Sequence, residues 1–99
     1  MTAPPDRISV TVRSFATLRE VVDAELRMDF PAGATVRSLL ATLTGQYKGL
    51  DELLFIDPET LRDFVNILQN GRNIHFLSGL ETPLNDGDTI ALFPPAAGG

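Results

Sequence analysis

The chain has no cysteine. Disulfides, thiolate metal sites and a cysteine nucleophile are excluded, and the usual clue to compartment goes with them. His75 is the only histidine, which excludes a multi-histidine metal site. Lysine is equally scarce: Lys48 stands alone, and the remaining cations are arginines. No apolar run approaches the ~20 residues needed to span a bilayer. Met1 to Asp6 has neither a basic n-region nor an apolar h-region, so no signal peptide is expected and the expected location is cytoplasmic. Positive charge is in deficit as well. A net charge of −5 argues against nucleic acid and against anionic membrane surfaces, both of which select clustered Lys and Arg. It suits solubility, and equally a partner with a basic surface. No triad or paired-carboxylate arrangement can be built around Ser14 or the scattered Asp and Glu residues.

What remains is enough for one domain of 99 residues with a modest core. Residues 1–6 are expected to be disordered. Ile8, Val10 and Val12 alternate with Arg7, Ser9, Thr11 and Arg13, which predicts a half-buried strand. Ser14 to Val22 reads as a loop or a short helical turn. Leu26, Met28 and Phe30 predict a second strand, antiparallel to the first. Thr35 is a candidate N-cap. Val36, Leu39, Leu40, Leu43 and Tyr47 then form one apolar helical stripe, with Gly49 expected just past the helix end. Leu50 to Asp63 is mixed, with a break at Asp57-Pro58 and a short helical turn expected at 58–61. Phe64 to Gln69 is strand-like, Asn70-Gly71 is a tight-turn signal, and Ile74 to Leu77 is the expected return strand. Ser78 to Pro83 reads as loop, and Asn85 to Asp88 as a second turn feeding a final strand that ends at Phe93. A single helix must then cover one face of a mixed sheet, with the last strand parallel to the first, central, and burying Ile90 and Leu92.

After Phe93 come Pro94, Pro95, Ala96, Ala97, Gly98 and Gly99. The prolines cannot extend a ladder, and nothing after them has a side chain worth burying. Extended, these six residues reach roughly 20 Å. Glycines at the end let another backbone pass closely. A Gly-containing terminus is often an idle tail; here it directly follows a strand and a stiff Pro-Pro stub. We therefore expect a domain over residues 7–93 and a flexible working tail over 94–99.

Three stretches carry a family resemblance: Phe15-Ala-Thr-Leu-Arg-Glu20, Val65-Asn-Ile-Leu-Gln-Asn-Gly71, and Leu84-Asn-Asp-Gly-Asp-Thr-Ile-Ala-Leu-Phe-Pro-Pro-Ala-Ala-Gly-Gly99. The chain resembles the β-grasp sulfur carriers, and within them the small subunits of molybdopterin synthase. The resemblance implies an α+β, ubiquitin-like β-grasp with a mixed sheet of four to five strands on one main helix. It implies that the chain is inert alone and binds no cofactor. A ubiquitin-activating-type adenylyltransferase consumes ATP to adenylate Gly99, a sulfur donor converts the adenylate to a thiocarboxylate, and the tail enters the large molybdopterin synthase subunit. Gly98 then provides clearance. Phe93 is either the last core residue or a partner anchor, Pro94 and Pro95 either only end the strand or join that surface, and Arg19 matches an arginine that faces partners. Gly49 to Asp63 is longer than in compact members. That leaves open a thiamin-type carrier, another pterin pathway, or a ubiquitin-like modifier joined to lysines through Gly99. Lys48 is a candidate acceptor for a modifier, and His75 reads as an ordinary strand histidine.

Overall fold

The alternation in the first segment produces β1, Arg7–Ser14, whose even-numbered residues are buried. It pairs antiparallel with β2, Glu25–Pro31, in a register that runs from Arg7 opposite Pro31 to Arg13 opposite Glu25. The computed structural model describes residues 7–57 and 59–94. Between the two strands, Ala16–Glu20 forms a 3₁₀ turn that buries Leu18 completely, settling the loop-or-turn alternative.

Helix α1, Val36–Gln46, starts where Thr35 and Ser38 form a reciprocal capping box. The Ser38 amide donates to Thr35 Oγ1 at 3.3 Å, and the Thr35 amide donates to Ser38 Oγ at 3.2 Å. Val36, Leu39, Leu40 and Leu43 are fully buried. Gly49, with φ +90°, lies beyond the helix end as expected, and there it also starts a second helix, α2, Leu50–Leu54. Sequence patterning had not suggested α2. Its Leu50 and Leu54, one turn apart, are both fully buried in the core.

A small hairpin follows, β3 (Phe55–Asp57) with β4 (Thr60–Leu61). The helical turn expected at 58–61 is therefore not formed at Thr60–Leu61, which pairs as strand; Pro58 lies outside the described residues. β5 is Asn66–Gln69, two residues shorter at its start than expected, because Phe64 takes φ +69° and breaks the extended run. Asn70 and Gly71 both have positive φ and turn the chain into β6, Arg72–Asn73. The return strand expected at Ile74–Leu77 is replaced by this two-residue strand. Asn73 Oδ1 accepts from the His75 amide at 2.9 Å, and that cap starts a 3₁₀ turn over Ile74–Phe76. A further 3₁₀ turn, Gly79–Glu81, occupies the expected loop.

The last strand, β7, spans Thr89–Phe93. It lies parallel to β1 and antiparallel to β5, in a five-stranded sheet of order β2-β1-β7-β5-β6. Ile90 and Leu92 are fully buried, as expected. A mixed five-stranded sheet with α1 as its main helix is the ubiquitin-like β-grasp. Among the described residues no helix is long and apolar enough to cross a membrane.

The turn before β7 is held by polar contacts. Asp86 Oδ1 accepts from the Ser9 amide at 2.7 Å, and Gly87, at φ +87°, donates its amide to Ser9 O at 2.8 Å. Asp88 is 6% exposed and accepts three hydrogen bonds, from Asn85 N at 2.7 Å, Gln69 Nε2 at 2.8 Å and Asn70 Nδ2 at 2.9 Å. A buried carboxylate needs such partners to offset its lost hydration. The Asp-Gly-Asp sequence is thus a structural clamp joining the start of β7 to β1 and to the end of β5.

Candidate functional site

The other end of β7 is built differently. Side chains along β7 alternate, so Ile90 and Leu92 enter the core while Ala91 and Phe93 take the opposite face of the sheet. Phe93 is half-buried, outside the core, and its ring stacks on Phe15 with centroids 4.4 Å apart and planes 8° from parallel. A contact of this kind contributes about 0.5–1.5 kcal/mol beyond the area it covers. The pairing requires β1 and β7 to be neighbours, since Phe15 follows β1 directly; the Phe15 amide donates to Leu92 O at 3.1 Å.

Two guanidinium groups approach the Phe15 ring. The Arg19 carbon Cζ is 5.4 Å from its centroid and that of Arg13 is 5.9 Å. Arg19 Nε also donates to Ser14 O at 3.0 Å, which anchors the 3₁₀ turn to the end of β1. Arg19 therefore braces the Phe15 ring on which Phe93 stacks. Arg13 forms an exposed ion pair with Glu25 at 3.6 Å, a contact of little energy in water. Ser14 is fully buried, and its hydroxyl finds no partner among the described residues.

Of the two readings of Phe93, core residue or partner anchor, the structure places it outside the core as a stacked, half-buried ring at the end of β7. Pro94 follows it, half-buried. Pro95, Gly98 and Gly99 lie outside the described residues. Sequence reasoning missed Phe15 as the partner of Phe93, although Phe15 heads one of the three family-like stretches. It also missed the exposed rings of Phe64 and Phe76. His75 is exposed, with its ring edge-on to Phe76, and Lys48 is exposed in the link between α1 and α2. Among the described residues no three His, Cys, Asp or Glu side chains gather in a way that could hold a metal.

The arrangement offers a strand fixed in the middle of a sheet, a clamped base, and a ring stack from which the chain leaves.

Comparison with known proteins agrees with that geometry. The sequence profile of the ThiS family matches residues 12–99. The chain is 42% identical over 95 residues to small archaeal modifier protein 3 of Haloferax volcanii, covering 93% of this chain and 100% of that one. It is 37% identical over 71 residues to the sulfur carrier protein CysO of Mycobacterium tuberculosis, covering 69% and 75% of the two chains. Among solved structures, a Pyrococcus furiosus protein provisionally described as molybdopterin converting factor subunit 1 superposes with a TM-score of 0.72. It is 30% identical, with 90% and 99% of the chains covered. The chain belongs to the ThiS family, among ubiquitin-like β-grasp proteins that include sulfur carriers and small modifiers.

Proposed function

We propose that this chain is a ubiquitin-like modifier and sulfur carrier whose reacting group is the α-carboxyl of Gly99. The observation that carries this reading is the exit. A central strand ends in the Phe93–Phe15 stack, and everything beyond Pro94 is Pro-Ala-Ala-Gly-Gly, with nothing that could serve a core. An α-carboxyl titrates near about 3.3–3.7, so it is anionic at neutral pH and can attack a phosphate. An activating enzyme of the ubiquitin type supplies ATP. A carboxylate oxygen of Gly99 bonds to the α-phosphorus, pyrophosphate leaves, and an acyl adenylate remains. A lysine ε-amine of another protein then attacks the acyl carbon. The C–N bond forms, AMP leaves, and the amine loses a proton. Hydrosulfide attacking the same carbon, with AMP leaving and a proton lost from sulfur, gives the thiocarboxylate instead.

Conjugation is the leading use, because the modifier protein of Haloferax volcanii aligns over its entire length. Sulfur transfer is the second use, supported by the likeness to CysO. Delivery to a large molybdopterin synthase subunit is narrower and draws on the Pyrococcus furiosus neighbour alone.

The test is purification of a tagged chain from its source cells under denaturing conditions. Proteins carrying it through an isopeptide bond to Gly99 are expected, and they should vanish when one residue is added after Gly99. Arg72 is the last arginine or lysine, so trypsin leaves a branch running from Asn73 to Gly99 on the modified lysine. A tagged chain that yields no such branch, while still acquiring a thiocarboxylate, would reduce the function to sulfur carriage.

A further inference from the structure

Phe64 and Phe76 are 77% and 82% exposed, the two most exposed large apolar residues described. Phe64 also holds φ +69°, a conformation in which an aromatic L-residue is strained. Neither ring contributes to the core, so the fold gains nothing from the choice of phenylalanine at either position. Both line one open groove of about 730 Å³, with Val65, Ile74 and Leu80 in its walls and Glu59 and Asp63 among its charged members.

The groove is continuous with the tail exit. Asn66 lines it and is also the residue paired with Phe93 across β5 and β7. Asn66 is held there by two contacts: it accepts from Asn73 Nδ2 at 3.0 Å and donates to Phe64 O at 3.3 Å. Gly99 lies five residues beyond Pro94, a reach of about 17 Å. Any enzyme that acts on Gly99 must therefore bring its body close to Pro94 and cover the neighbourhood of Asn66.

We propose that the groove between Phe64 and Phe76 docks the ATP-dependent activating enzyme, which fills it with an apolar side chain set beside a basic one. This rests on the reading of Gly99 as the reacting group. The activating enzyme is the occupant because conjugation and sulfur transfer both pass through adenylation first. The groove's own charged members are Glu59 and Asp63 against Arg62; Glu59 is ion-paired with Arg37 at 3.6 Å, which leaves the Asp63 carboxylate to meet a basic side chain. Exposed aromatic rings are common energetic anchors at interfaces.

The experiment is pyrophosphate exchange with ATP and the source organism's ubiquitin-activating-type enzyme. It compares the full chain, the double variant Phe64→Asn with Phe76→Ser, and a chain lacking Gly98 and Gly99. Asn tolerates positive φ, so the double variant should melt no lower than the wild type. Its KM for the carrier should rise at least about tenfold with kcat unchanged, while the shortened chain supports no exchange. An unchanged KM in a folded double variant overturns the docking proposal and leaves the tail reading intact. An unchanged KM with loss of a wild-type dimer reassigns the groove to a second copy and overturns it too. A wild-type chain that supports no exchange overturns the tail reading and the docking proposal together.

Discussion

The two ends of β7 lie one short strand apart and are held by opposite chemistry. At its start, Asp86, Gly87 and Asp88 fix the backbone through hydrogen bonds to Ser9, Asn85, Gln69 and Asn70. At its end, Phe93 rests on Phe15 by ring stacking, with arginines at the side. The first arrangement is directional and centred on the buried Asp88 carboxylate. The second is planar, partly solvated and faces outward. A single family-like stretch, Leu84 to Gly99, thus combines a part that sets the strand in place with a part that we propose meets other proteins.

Substitutions can separate the two. Asp88→Ala should have the largest effect on stability. It removes three hydrogen bonds, from Gln69 Nε2, Asn70 Nδ2 and the Asn85 N–H, while Gln69 keeps its bond to Pro83 O, at a cost of about 2–3 kcal/mol, visible in denaturant unfolding. Below its melting transition the variant should still be activated with an ordinary KM. Phe93→Ala should show the reverse balance. Losing a half-buried ring and its stack costs about 1–2 kcal/mol, yet activation should suffer more than stability does. Equal losses in both measurements would erase the distinction between the two ends. Arg19→Ala removes one brace of Phe15 and should cost about 0.5–1 kcal/mol, with Arg19→Lys restoring only part because the Nε–H donor to Ser14 O is lost. Ser14→Ala is the smallest change. A buried hydroxyl without a partner gives the fold nothing, so the variant should be neutral or more stable by up to about 1 kcal/mol. A clear loss of stability there would reveal a hydrogen bond to Ser14 in solution.

Much of this comparison was legible in the chain itself. β1 and β2 declare themselves by alternation, and α1 by its stripe and Thr35 cap; the tail beyond Pro94 lies outside the described residues. The parts that were not legible depend on contacts distant in sequence or on very short elements. α2 is five residues long, and its two buried leucines sit in a run that also reads as strand. β6 is cut short by a side-chain cap from Asn73, which residue type alone does not reveal. The positive φ of Phe64 runs against every local preference. Phe15 meets Phe93 only because β7 inserts beside β1, a consequence of topology and not of any local pattern. The Asp-Gly-Asp sequence stood out as a family mark, but only the fold shows that its work is structural.

The central claim is that reactivity resides in a bare Gly99 carboxyl presented by an otherwise inert domain. It is tested most directly by adding one alanine after Gly99 and following ATP-dependent activation by the intact mass of the chain. The account predicts an unchanged melting curve, a wild-type chain that gains the adenylate or exchanges oxygen for sulfur, and an extended chain that does neither. Normal loading of the extended chain, with its added residue still in place, would contradict it.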